Sequence, residues 1–154
     1  MSDRTANMTA VPVTANLTTQ TIEGDLNVTG EYLQNGEPFS GSSGPVQVGC
    51  FLPGVGTNSQ VCLYLAMAFA VTFPAGAADS EAVAKTAATG STTFTLSKNG
   101  TQFATIVFSA DGTTGAFTQA ADADFEAGDI LEIDGPATAD ATLANIGISL
   151  YGTR

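Results

Sequence analysis

The sequence predicts an all-β protein, and three observations lead to that prediction. Apolar residues alternate with small or polar ones in several short stretches, turn signals rich in glycine separate these stretches, and a helical period is almost absent. Strands spaced about 8–15 residues apart and joined by Gly-rich turns are typical of a β-sandwich or a jelly roll. We therefore expect a jelly-roll-like β-sandwich head over residues 45–154.

The clearest strand signal begins after Val61. Alternate residues are large and apolar: Leu63, Leu65, Met67, Phe69, Val71 and Phe73. The residues between them are small or semi-polar: Cys62, Tyr64, Ala66, Ala68, Ala70 and Thr72. This period of two predicts one half-buried strand, ended by Pro74, whose second face is apolar enough to meet another subunit. The same alternation assigns most phenylalanines to the core: Phe51, Phe69, Phe73, Phe94, Phe103, Phe108, Phe117 and Phe125.

Turn signals place the remaining strands. Asn99-Gly100 predicts a hairpin, Ala127-Gly128-Asp129 a second tight turn, and Gly135-Pro136 the end of the strand that follows it. A bulge at the hairpin would decide which face Phe103 takes, and the sequence leaves this open. Residues 79–88 fit a helix or a strand of small residues, and we favour the strand. The last strand is predicted to place one apolar set on one face: Ile146, Ile148 and Leu150.

Two N-terminal zones precede the head. Residues 1–21 are rich in Thr, Asn and Ala and show no periodicity, so we expect an extended arm without a core of its own. Residues 22–44 contain short apolar steps broken by glycines, too few to form a core within one chain. A threefold β stem would pool the apolar faces of three copies, with the Gly-Ser tract at 41–44 as a hinge. The stem positions are Ile22, Leu26, Val28, Tyr32 and Leu33.

Composition limits the partners. Only 12% of the residues are charged, and 15 acidic residues against 4 basic ones give a net charge of −11. Nucleic acid and an anionic membrane surface are therefore unfavourable partners, because binding either of them needs Lys and Arg. The longest apolar stretch, Val61 to Phe73, is too short for a membrane helix. Residues 1–10 show no secretion signal, so we expect assembly in a cytoplasm.

The side chains that most enzymes use are missing. The sequence has no histidine, which excludes a Ser-His-Asp triad, a Cys-His dyad and most zinc sites. It also lacks the glycine motifs that bind phosphates and dinucleotides. We predict a protein that is not an enzyme and has no cofactor. Cys50 and Cys62 are interpreted as reduced and buried, with pairing across a hairpin near Gly56 as the alternative.

An acidic segment leaves a metal site as a minor alternative. Its carboxylates belong to Asp122, Asp124, Glu126 and Asp129. The first three alternate and could hold Ca²⁺ on one face of an extended loop. A solvated loop that supplies solubility is the favoured interpretation, because nothing else in the sequence converges on the segment. A glycosidase is less favoured, since the chain has no Trp to stack on a sugar.

Two parts of the chain resemble a known class of proteins. Residues 21–39, TIEGDLNVTGEYLQNGEPF, resemble the short stem segments of trimeric phage fibre and spike proteins. The body is similar to a jelly-roll module of phage virion proteins, from FPAG (73–76) through SKNGTQ (97–102) and FEAGDILEI (125–133) to ATLANIGISLYGTR (141–154). The resemblance implies a homotrimeric virion component of a tailed phage. It would have a stem, a head of three β-sandwiches, and an arm that anchors it to the particle.

The small size of the chain then favours one virion role. We expect a capsid decoration protein, of the cement or head-fibre kind, that binds the major capsid protein on the exterior of the virion. The arm residues expected to anchor it are Met8, Val11, Val13 and Leu17. The alternative is a tail-fibre tip that recognises carbohydrate on the host surface, and a small calcium-dependent hydrolase is a weaker third.

Overall fold

The structure is a computed structural model that describes residues 44–154 and two short backbone segments before them. The chain divides into two compact units, Met1–Phe39 and Ser40–Arg154. The predicted arm, residues 1–21, lies outside the described residues, as does most of the predicted stem.

The first unit contains one described pair of strands. Strand β1 (Leu33–Gln34) pairs antiparallel with β2 (Glu37–Pro38), so that Leu33 lies opposite Pro38. Only Asn35 and Gly36 separate the two strands, as the Asn-Gly turn signal predicts for a two-residue hairpin.

The second unit contains ten described strands. In chain order they are β3 (Pro45–Val55), β4 (Val61–Ala66), β5 (Val71–Phe73), β6 (Glu81–Thr86), β7 (Thr92–Lys98), β8 (Thr101–Phe108), β9 (Gly115–Gln119), β10 (Ala123–Phe125), β11 (Ile130–Asp134) and β12 (Ala144–Thr153). A turn of 3-10 helix, Ala75–Ala77, lies between β5 and β6.

The ten strands form two antiparallel sheets. Sheet I has the order β10-β5-β12-β3, and β6 also pairs with β12. Sheet II has the order β4-β11-β7-β8-β9. The inward faces of both sheets contribute to one apolar core, so the predicted all-β sandwich is confirmed.

The core follows from the alternation of the central strands. Strand β12 buries Ile146, Ile148 and Leu150 toward sheet II, as its sequence predicts. Aromatic rings pack edge-to-face within the core, with centroids 5.4 Å apart for Phe73 and Phe125 and 5.8 Å apart for Phe94 and Phe108. This geometry is the favourable one for aromatic pairs. The largest almost fully buried side chains are Phe108, Phe125, Leu96, Ile106, Leu131, Ile133, Ile146 and Val71.

The prediction of a single strand from Leu63 to Phe73 is wrong. The chain runs in sheet II as β4, leaves it after Ala66, and re-enters at Val71 as β5 of sheet I. The alternation continues from β4 into β5, although the chain changes sheets between them, because both strands direct their apolar residues toward the same core. At the crossing itself, Phe69 is 40% exposed and lies under the Arg154 guanidinium, 4.9 Å from its ring centroid.

The hairpin prediction at Asn99-Gly100 is confirmed. Both residues have positive φ, at 48° and 79°, as a tight two-residue turn between β7 and β8 requires. The register shifts by one residue beside Ser97, and this bulge leaves Phe103 as the extra residue of β8. The ring of Phe103 packs on Phe125 with centroids 5.6 Å apart, which settles the face it takes. Residues 81–86 form a strand, the favoured alternative for that segment.

Candidate interaction surface

The sandwich has one lateral side on which the two sheets are joined. Residues 81–88 and 112–119 make up this closed side. The backbone N–H of Ala84 donates to the carbonyl of Thr113 at 2.7 Å, and an isolated bridge pairs Val83 with Thr114. The hydrogen bonds of β6 and its neighbour therefore continue from one sheet to the other.

Gly115 allows this close approach. A Cβ added there would lie 2.5 Å from Cγ2 of Ile106 and 2.9 Å from Cβ of Ala82, closer than real Cβ atoms come to other heavy atoms. The two sheets are thus in contact at β9, and no room is left for a larger side chain. The Gln119 amide adds a further link between the sheets, donating to the carbonyl of Phe73 at 2.9 Å.

The opposite side is formed by the outer strands β3 and β4, and we call it the open side. Within residues 44–154, β3 pairs only with β12 and β4 only with β11. No hydrogen bond joins β3 to β4 in that part of the chain. Both strands therefore present an unpaired edge. At 11 residues, β3 is about twice the usual strand length of 5–6 residues.

The open side is apolar. Phe51 on β3 is 64% exposed and Tyr64 on β4 is 66% exposed. Between the two strands, further apolar side chains pack on the core but remain half-buried: Val46, Val48, Cys50, Leu63 and Leu65. Exposed aliphatic side chains extend the surface at Val55 and Val61. An unpaired, apolar strand edge is a site where another chain can add.

The two edge strands of the open side also lack charged residues. Residues 39–78 contain no Asp, Glu, Lys or Arg, although the chain has a net charge of −11. The nearest charged residues by register are on β11, where Glu132 lies opposite Tyr64 and Asp134 opposite Val61. Natural sheets usually protect their edges with Lys or other charges, and neither of these edges has that protection.

The two thiols lie on the open side. Cys50 and Cys62 are free and half-buried. Burial, followed by the nearby Cys50 and Asp134, raises the pKa of Cys62 to about 11. Burial also raises the pKa of Cys50. Both thiols are therefore protonated at neutral pH, which makes them poor nucleophiles.

The acidic segment organises turns. The Asp122 carboxylate accepts the backbone N–H of Ala75 at 2.8 Å, and that of Asp124 accepts the Thr72 hydroxyl at 2.7 Å. Both bonds fasten the loop around β10 to β5 and its following turn. The carboxylates of Asp122 and Asp124 are therefore already engaged by hydrogen-bond donors.

Asp129 is the most strongly held carboxylate of that segment. It pairs with the Lys98 ammonium at 2.9 Å and accepts the Asn99 amide at 2.7 Å and the Glu126 N–H at 2.8 Å. These bonds, the Glu126 N–H first, lower its pKa to about 2. The predicted Ala127-Gly128-Asp129 turn is confirmed, with Gly128 at a φ of 94°.

Asp140 forms a second organising centre. One carboxylate oxygen accepts the hydroxyl of Thr89 and the backbone N–H groups of Thr89 and Gly90, and the other accepts the N–H groups of Thr142 and Leu143. These bonds hold its pKa well below the usual range, with the Thr89 side chain as the largest cause. The Asp140-Ala141-Thr142 sequence is a turn signal in which Asp bonds the backbone two residues on, and our sequence reasoning missed it.

The described residues contain few other groups that could bind a ligand or take part in a reaction. Across residues 44–154 and the two short strands before them, no group of three His, Cys, Asp or Glu is placed to hold a metal ion. In the same residues, no helix is long and apolar enough to cross a membrane. A recess between the sheets, lined by Leu52, Phe94 and Leu143, has a volume of about 10 Å³, room for about one water molecule.

The residues predicted as functional lie mostly outside the described residues. Those are the arm residues Met8, Val11, Val13 and Leu17, and the stem residues Ile22, Leu26, Val28 and Tyr32. Leu33 is described only as backbone of β1. The open side was missed in large part, since β3 was not predicted as a strand. Two signals could have found it: the alternation of Val46, Val48, Cys50 and Leu52, and the absence of charge from 39 to 78.

Comparison with protein-family models, with curated proteins and with solved structures gives no match to this chain.

Proposed function

We propose that this chain is a structural protein of a phage virion, a homotrimeric decoration protein that binds the capsid shell through its N-terminal arm. The observation that carries the proposal is the open side, two unpaired strand edges without charge on an otherwise acidic head. Such a surface is poor at keeping a lone domain soluble and suits a protein that works among neighbours.

The strand order supports the jelly-roll part of the proposal. The first strand of the head, β3, pairs with the last, β12, and the second strand, β4, pairs with the penultimate one, β11. Jelly rolls are built in this way, and viral capsid proteins are among the proteins that use them. Fold alone does not assign a function, so the open side remains the main support for the proposal.

The chemistry of the site agrees with a structural role. In residues 44–154 the strongly held carboxylates, Asp129 and Asp140, accept hydrogen bonds from turn backbones. The thiols of Cys50 and Cys62 are kept protonated by burial. The groups whose pKa values are shifted therefore stabilise turns or pack at the edge of the core. None of them has a pKa suited to proton transfer near neutral pH.

The proposal is tested by binding to undecorated capsid shells. Full-length protein and a protein that starts at Ile22 are each incubated with bare shells, which are then pelleted. We expect the full-length protein to co-pellet and the shortened one to remain in the supernatant while still trimeric. The three arms of a trimer act together, and avidity of this kind exceeds the affinity of one arm by about 10²–10⁴.

Two results would count against the proposal. Equal pelleting of both proteins would show that the arm is not the anchor. Failure of the full-length protein to bind shells, together with binding to host cells, would favour the tail-fibre alternative.

A further inference from the structure

The open side presents two unpaired edges next to each other on one head. We propose that copies of this chain dock there, with β3 of one copy against β4 of the next around a threefold axis. This inference rests on the proposed trimer and specifies the surface through which the heads meet. Its occupant is a second copy of the chain, and three observations favour that occupant over another protein.

The first observation is charge. The chain has a net charge of −11, yet the two edge strands of the open side, β3 and β4, contain no charged residue. Two acidic copies repel each other wherever their carboxylates meet, and like charges brought together at an interface oppose binding. A basic partner would be attracted to the acidic surface instead. The charge-free side is therefore the surface on which a like-charged copy fits best.

The second observation is where the chain enters the head. Strand β3 begins at Pro45, directly after residues 22–44, which the sequence predicts as the trimeric stem. A stem that joins three chains would tether their three heads through the few residues that precede β3. A short tether gives the heads a high effective concentration, so a contact that is weak between free heads forms within a trimer.

The third observation is that the core is incomplete on this side. The half-buried side chains between the strands, Val48 and Leu65 among them, pack on the core yet keep part of their surface exposed. The exposed rings of Phe51 and Tyr64 lie on the outward faces of the same two strands. A neighbouring head would cover both groups, which is the usual composition of an interface centre, apolar with aromatic anchors.

The threefold arrangement explains why both edges are free. A closed ring of three copies uses two different patches on each copy, so that every contact joins patch one to patch two. Strand β3 and strand β4 are two such patches, one from each sheet. A twofold dimer in which β3 of each copy meets β4 of the other would also cover both edges, so the choice of a ring of three rests on the predicted trimeric stem.

The test uses the full-length chain with a photoactivatable benzoylphenylalanine in place of Phe51. The matched control carries it in place of Thr118, which is exposed on β9 at the other edge of sheet II. After irradiation and denaturing gel electrophoresis, we expect covalent dimers and trimers from the protein labelled at position 51. The protein labelled at position 118 should give neither. Mass spectrometry of the linked peptides should identify residues 61–66 of the partner copy.

A second measurement uses charge. We expect Phe51→Asp to raise the dissociation constant of the trimer by at least about tenfold, because it places a carboxylate in a contact that excludes water. Thr118→Asp should leave the constant unchanged. Circular dichroism of each variant checks that the head remains folded.

The outcomes separate this inference from the proposed function. A trimer that cross-links from position 118 and not from 51 would overturn the open side as the contact and leave the trimer intact. Linkage of position 51 to β3 of the partner would overturn the pairing of β3 with β4. A full-length monomer would overturn both the trimer and this contact, while pelleting with shells would still test decoration independently.

Discussion

The two lateral sides of the head differ in how their strand edges are covered. Every sandwich ends in strand edges, and on the closed side hydrogen bonds between residues 81–88 and 112–119 carry the pairing from one sheet to the other. On the open side, the outer edges of β3 and β4 have no hydrogen-bonded strand in the described chain. One side is completed within the chain, and we infer that the other is completed by a second chain. The comparison therefore separates the residues that stabilise the fold from those that serve association.

The largest effect should come from the core beside the closed side. Phe108 is completely buried and packs on Phe94 and next to Gly115. We expect Phe108→Ala to lower the free energy of unfolding by about 3–5 kcal/mol, since it removes a buried ring and leaves a cavity. Phe69→Ala is the control, because Phe69 is 40% exposed and should lose much less. Urea unfolding measures both, and equal losses would contradict the assignment of Phe69 to the surface.

A smaller effect is expected where the sheets meet. Gly115→Ala introduces a methyl group that would lie 2.5 Å from Ile106 and 2.9 Å from Ala82. Overpacking of this kind usually lowers stability by about 1–3 kcal/mol. Gly147→Ala is the control, since its Cβ would meet only Cγ2 of Val83, at the ordinary distance of 3.9 Å. If Gly115→Ala melts at the same temperature as the unchanged protein, the closed side can accommodate a methyl group at this position.

The smallest expected effect is a loss of stability at low pH, and it arises from two carboxylates that lie outside β3 and β4. Asp129 and Asp140 have folded-state pKa values below the ordinary value of about 3.9. Their stabilisation is therefore fully present above about pH 4 and is lost as the pH falls through the folded values, which for Asp129 is about 2. Both residues are partly exposed to solvent, which screens their interactions and keeps the effect modest.

Urea unfolding between pH 7 and pH 2.5 measures this dependence. We expect Asp140→Asn to lower stability at pH 7 and to flatten the fall at low pH. Asp111→Asn is the matched control, because the Asp111 carboxylate takes no part in these hydrogen bonds. An unchanged slope in Asp140→Asn would mean that the turn is held without its charge.

Much of the fold could be predicted because its signals are local. The Asn99-Gly100 hairpin requires positive φ at two adjacent residues, and the sequence has the pair that tolerates it. The buried face of β12 follows from the alternation of Ile146, Ile148 and Leu150. Each of these features is decided within a few residues.

The failures have a different origin. Alternation from Leu63 to Phe73 continues through a change of sheet, and the period of two cannot distinguish one long strand from two strands that share a core. Strand β3 contains Pro45, Pro53 and two glycines, which lower its strand signal, and Pro is tolerated in sheets mainly at an edge. The weak signal and the edge position thus have the same cause. The open side was missed because it is recognised only when β3 and β4 are placed together.

The pairing of β3 with β12 has a practical consequence for display. Their antiparallel register places Pro45 opposite Thr153, and the backbone N–H of Arg154 donates to the carbonyl of Gly44 at 3.2 Å. Any polypeptide fused after Arg154 therefore starts beside the point where the chain enters the head. A peptide inserted in the loop at 56–60 would instead emerge at the far end of β3. The choice between these two positions therefore determines at which end of the head the added peptide is displayed.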